Sequence, residues 1–107
     1  MLIIIEFIFP SNFNALAIWP FIFLRGKELK DDAILLNHEK IHLKQQKELL
    51  WIFFFIIYFF EFLAKIVIYK KPKLAYRNIS FEREAYGNEQ NFYYPYKKSY
   101  WSFIRYL

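Results

Sequence analysis

Residues 38–42 read His38-Glu39-Lys40-Ile41-His42, and both histidines of the chain lie in this pentapeptide. The stretch sits inside a run, residues 33 to 69, with no Gly and no Pro, and Asp31 or Asp32 just before it offers an N-cap. A helix is therefore predicted. On a helix, positions i and i+4 share one face, so both imidazoles can reach one metal ion. Glu39 stands one position along, close enough to accept a proton from a water that the metal acidifies. A catalytic zinc takes three protein ligands and leaves one position open. The chain has no Cys, so the third ligand must be Asp or Glu. Glu48 lies on the same helix and cannot fold back. Glu61 could approach only if the helix broke and doubled back. Glu82, Glu84 and Glu89, in the segment 80–89, are better placed on a second helix. Glu82 and Glu84 are two residues apart, on nearly opposite faces, and spacing does not choose between them.

Outward from the motif, residues 2–9 read as a buried strand ended by Pro10. Residues 13–24 are apolar and β-prone, with Pro20 favouring an edge position, and Arg25-Gly26-Lys27-Glu28 is a turn signal. The segment 20–24 would then be available to pair with an extended peptide. After the motif, Gln45 and Gln46 suit a half-exposed helical face or hydrogen bonds near the ligands. Residues 33–69 form one long helix or two in sequence. Lys70-Lys71-Pro72-Lys73 stops it, because Pro72 disfavours helix just before it. A further helix is expected from Ser80 to Phe92, capped by Asn78 or Ser80. Pro95 interrupts, and Ser99 to Tyr106 suit a short C-terminal helix.

Residues 49–69 are apolar except for Glu61 and Lys65, an i, i+4 pair in the favourable order. Tyr58 joins their stripe. The length suits a membrane-associated helix and equally a buried core helix. The N-terminus lacks the positive start and small-residue cleavage site of a secretory signal peptide, so none is expected.

The chain has 107 residues, 57% hydrophobic and 24% aromatic, which excludes disorder and indicates one domain, 1–107. The net charge is +5, in short lysine clusters with no nucleic-acid-binding signature, so no nucleic-acid partner is expected. The aromatic content makes self-association into a homo-oligomer an expectation.

The motif followed by a Glu on a second helix resembles the gluzincin arrangement of zinc metallopeptidases. There the second helix often carries E-x-x-A-D, whose first Glu binds zinc. Glu82-Arg83-Glu84-Ala85-Tyr86 is similar, and the resemblance implies that Glu82 completes a His38, His42, Glu82 zinc site. The run from His38 to Gln46 also resembles the H-E-x-x-H-x-x-Q-Q stretch of small bacterial zincin-like proteins, some of which share Ala75-Tyr76-Arg77. The likeness covers roughly residues 20–92. It implies an α+β zincin-like mini-domain, mostly helical with a small N-terminal sheet or hairpin. It also implies hydrolysis of a peptide or protein substrate, with Zn²⁺ as cofactor and Glu39 as general base. Tyr86 replaces the family's Asp, which orients a ligand histidine. Either Asn37 or Asn88 rebuilds that contact, or metal affinity is lower, or Tyr86 points into the site and donates to the oxyanion, or it packs under the motif. Glu84 is expected as a solvated neighbour or a partner of Arg83 or Arg77. The competing reading is a non-catalytic zinc-binding or membrane-interaction protein that retains the motif. In it, Glu89 or Glu84 would close the fourth position.

Overall fold

The computed structural model describes residues 2–4 and 14–107. The remainder of the strand expected over 2–9, Pro10 included, lies outside them. The chain is α+β and mostly helical, with a small N-terminal sheet. The apolar run 13–24 splits into β2 (Ala15–Ile18) and β3 (Phe21–Leu24), joined at Trp19-Pro20, whose peptide bond is cis. They pair antiparallel, with Ala17 opposite Ile22. β1 (Leu2–Ile4) pairs parallel to β3, so the sheet order is β1-β3-β2. β3 is thus the central strand. Both its edges are used, which corrects the expectation that residues 20–24 could receive a peptide strand. Pro20 sits in the turn, where its missing N–H costs no ladder bond.

Arg25-Gly26 leads into a 3-10 turn, Lys27–Asp31. Asp32 then caps α1 (Ala33–Glu48), its carboxylate accepting from the Leu35 N–H at 3.0 Å. The run 33–69 is two helices. α1 ends at Glu48 and α2 spans Ile52–Tyr69, with Leu50 and Trp51 between them at φ of 54° and 65°. No helix-breaking residue type marks this reversal. It is held from a distance: the Trp101 indole donates to the Glu48 carbonyl at 3.0 Å, one of the orphan acceptors of the helix end.

α2 ends on Lys70 in the left-handed conformation. Pro72 begins a short helix, α3 (Pro72–Arg77), rather than only stopping the one before it. α4 covers Ser80–Asn88, ending four residues earlier than expected. Its cap position is Ile79, which has no capping oxygen. Glu61 of α2 supplies one instead: its carboxylate accepts from the Ser80 N–H at 2.9 Å and from the Ser80 hydroxyl at 2.5 Å. The doubling back considered for Glu61 does occur, and it caps a helix rather than binding with the histidines. α5 (Tyr94–Lys97) and a 3-10 turn (Ser102–Tyr106) complete the chain.

Among the described residues an apolar core cluster forms from Phe54, Ile79, Phe81 and Phe103, with the Phe81 ring tilted against those of Phe54 and Phe103 at centroid distances of 4.5 Å. It joins α2, α4 and the C-terminal turn, and α1 lies across it. This holds the motif helix against the first turn of α4.

Candidate metal centre

α1 buries an unusual face. Its buried residues are Asn37, His38, Glu39, Ile41, His42, Gln45, Gln46 and Glu48, of which only Ile41 is apolar. A polar group taken from water needs a partner, and these find theirs across the molecule.

His38, His42 and Glu82 form a buried group able to hold a metal ion. The two Nε2 atoms lie 3.2 Å apart, and the Glu82 Oε1 lies 3.2 Å from the His38 Nε2 and 3.0 Å from the His42 Nε2. The first turn of α4, fixed by Glu61, places Glu82 there. Glu84, on the opposite face of α4, is not in the group, so the structure brings together the three residues expected as ligands.

The outer partners determine which atoms face inward. The Gln45 amide nitrogen donates to the Phe81 carbonyl at 3.1 Å and to Glu84 at 2.8 Å. Both are acceptors, so this amide has one orientation and its oxygen faces the His42 Nδ1 at 2.8 Å. The His42 Nδ1 must therefore carry a proton. Glu89 accepts from the His38 Nδ1 at 2.9 Å and fixes that ring in the same way. Tyr58 donates to the Glu82 Oε2 at 2.6 Å, leaving Oε1 inward. Neutral imidazoles would then direct two nitrogen lone pairs and a carboxylate oxygen at one point. Three acceptors with no donor between them suit only a positive charge, a metal ion or a proton. The donor set thus fits a metal.

The electrostatics agree. Burial pushes the His42 imidazolium down, but Glu82 outweighs it and the His42 pKa stands at about 9. Burial pushes the Glu82 carboxyl up, but His42 and the two histidine hydrogen bonds hold it below the usual carboxylate range. Burial raises the Glu39 carboxyl, against the pull of both histidines.

Several expectations are corrected. Glu89 grips the far nitrogen of His38, so it orients that ring and does not join the metal group. Asn37 supports it indirectly, donating to the Glu89 carbonyl at 2.8 Å and the Asn91 carbonyl at 2.9 Å. Asn88 instead donates to Glu84 and Tyr106. Glu84 is fully buried rather than solvated, and neither Arg83 nor Arg77 is its partner. It accepts from Gln45, from Tyr94 at 2.5 Å and from the Ser102 hydroxyl. Gln45 and Gln46 are buried rather than half-exposed, and Gln45 makes the hydrogen bond near the ligands that was the other expectation. Gln46 donates to the Ala17 carbonyl at 2.8 Å and accepts from the Trp19 N–H at 2.6 Å, fastening β2 to α1. Tyr86 packs its ring on His38 at 4.4 Å, with the Arg77 guanidinium 3.7 Å over it. Its hydroxyl shares a hydrogen bond with Tyr76. Sequence reasoning missed Tyr58 and Glu84 as supports, while the hydrogen bond near the ligands that it offered for Gln45 is present. A usable sign was present for Gln45, seven residues after His38 and three after His42 on one helical stripe.

No protein-family model matches the chain, and comparison with curated proteins and with solved structures likewise gives no match.

Proposed function

We propose that the chain is a zinc-dependent peptidase of gluzincin type, with Glu39 as its general base. The observation that carries this is the convergence of His38 Nε2, His42 Nε2 and Glu82 Oε1, each tied from outside, with the buried Glu39 carboxylate on the same helix. Two imidazoles and one carboxylate form a donor set that suits Zn²⁺ and leaves a coordination position open. When bound, the ion supplies Lewis acidity toward a peptide carbonyl and toward water. Glu39 takes the water proton and returns it to the departing amine nitrogen. Burial makes its carboxylate a stronger base than a solvated one. Tyr86 and Tyr76 are the nearby hydroxyl donors for the oxyanion. Burial raises both phenols, which keeps them protonated at neutral pH.

One observation favours a second reading, a metal site that is not catalytic. His38, Glu39, His42 and Glu82 are all 6% exposed or less. The surface depressions lined by Trp19 and Trp51, and by Lys40 and Tyr96, lie away from the metal group.

Elemental analysis and hydrolysis of an unstructured protein such as casein separate the two. The peptidase reading expects about one zinc per chain, lost in Glu82→Gln and retained in Glu39→Gln, with hydrolysis falling about 10²–10⁴-fold in the latter. Zinc that Glu82→Gln removes, with no hydrolysis by the unaltered chain, selects the second reading. No zinc in the unaltered chain after its addition overturns both.

A further inference from the structure

α2 has two faces of different chemistry. Its inward stripe, Phe54, Tyr58 and Glu61, joins the core, holds Glu82 and caps α4. Its two charged residues, Glu61 and Lys65, are half-buried on this side. The outward face carries Phe53, Ile56, Phe60, Leu63 and Val67, with Phe60 63% and Val67 74% exposed. Over Ile52–Tyr69 the mean hydropathy is 2.2, yet only 6% of the segment is buried. A core helix of that hydropathy would be covered by its own domain; this one is not. At 1.5 Å per residue it is about 27 Å long.

The ends differ from the middle. Trp19, Leu50 and Trp51 cluster at its start beside Lys47, all exposed. Lys70, Lys71 and Lys73 follow its end, also exposed. Amphipathic aromatics and lysines flanking a hydrocarbon face match the layering of a lipid interface. The outward face itself offers no hydrogen-bonding side chain between Ile52 and Val67. A protein interface carries roughly one hydrogen bond per 100–200 Å² to set its register, and nothing here could set one for a second copy.

We propose that this face seats in an anionic lipid bilayer, with α2 lying in the plane of the interface and the lysines at its two ends among the headgroups. An upright, spanning α2 does not suit the rest of the fold. α3 packs back along α2, and the start of α4 is fixed at Glu61, near the helix middle. The exposed Arg77 and Arg83 would then lie at hydrocarbon depth, where charge is costly. A helix with one face on its domain and the other in lipid is the monotopic arrangement. This surface is independent of the metal chemistry.

The test is co-sedimentation of the full chain with vesicles of phosphatidylcholine alone and of an equimolar mixture with phosphatidylglycerol. Binding to the mixed vesicles is expected about tenfold tighter. Phe60→Glu and Val67→Glu alter exposed positions, so melting temperatures should hold while binding falls at least about tenfold. Lys70→Glu with Lys71→Glu should remove the preference for anionic lipid. Unchanged binding in the two glutamate variants overturns the proposal. So does a chain that ignores vesicles but forms a dimer by light scattering which those variants dissociate. Resistance of the bound chain to alkaline carbonate extraction overturns the in-plane geometry. The same assay on Glu82→Gln reads the surface without the metal site.

Discussion

Gln45 decides where the protons of the metal group lie, because its amide is held between two acceptors and cannot reverse. With its Nδ1 already protonated against Gln45, His42 can hold a second proton only on Nε2, facing Glu82. The consequence for the metal-free chain has a definite sign. The His42 pKa is raised from 6.5 to about 9 in the folded state. The stability this contributes is fully present below pH 6.5 and is lost as the pH rises toward 9. Glu82 is shifted the other way; its contribution is present above the ordinary carboxylate range and disappears in stronger acid. The melting temperature of the chelator-treated chain should therefore fall from pH 6.5 to 9, and zinc at saturation should flatten that fall. A flat profile without metal would show that His42 is not paired with Glu82. At this scale the motif was legible, since an i, i+4 spacing fixes geometry within one helix. Its supports were not. Glu84 is 39 residues from Gln45 and Glu89 is 51 from His38. Glu and Gln are ordinarily surface residues, and only a tertiary partner reveals these as buried.

Between elements, one carboxylate does what local sequence would normally do. Glu61 closes the N-terminal end of α4 from another helix, and that same turn presents Glu82. Glu61→Ala should cost about 1–2 kcal/mol in urea unfolding, the range of a lost helix cap. It should also weaken zinc binding several-fold without removing a ligand. Loss of stability with unchanged zinc affinity would separate the cap from the site. The polar stripe of Tyr58, Glu61 and Lys65 could be seen in the sequence, but its use could not. The hairpin was legible as an apolar, β-prone run, while its division at Trp19-Pro20 and the central place of β3 depended on pairing with β1. The break at Leu49 to Trp51 had no Gly or Pro to announce it. Glu48 must turn toward Lys98 and Trp101, and that demand comes from the far end of the chain.

At the scale of the molecule, the largest fully buried side chains among the described residues are Phe81, Leu24, Ile41, Ile79, Gln45, Gln46, Glu84 and Ser80. Half are polar, so cohesion depends on completed pairs as much as on apolar contact. The C-terminal segment supplies many of those partners. Lys98 is bound to Glu48 at 2.6 and 2.8 Å, both side chains almost fully buried, and stands 3.8 Å from Glu84. Lys98→Met leaves two carboxylates without their cation and should destabilise the fold by about 3–5 kcal/mol in urea unfolding. A cost near zero would show that water reaches the pair. The three inward acceptors described above have a last consequence, in stoichiometry. At neutral pH His42 already holds a cation, the proton. An incoming metal ion must evict it, so the molecule works as an ion exchanger. Loading should release close to one proton per ion, seen as a calorimetric heat that changes with the buffer. Apparent affinity should climb about tenfold for each pH unit and level off near pH 9.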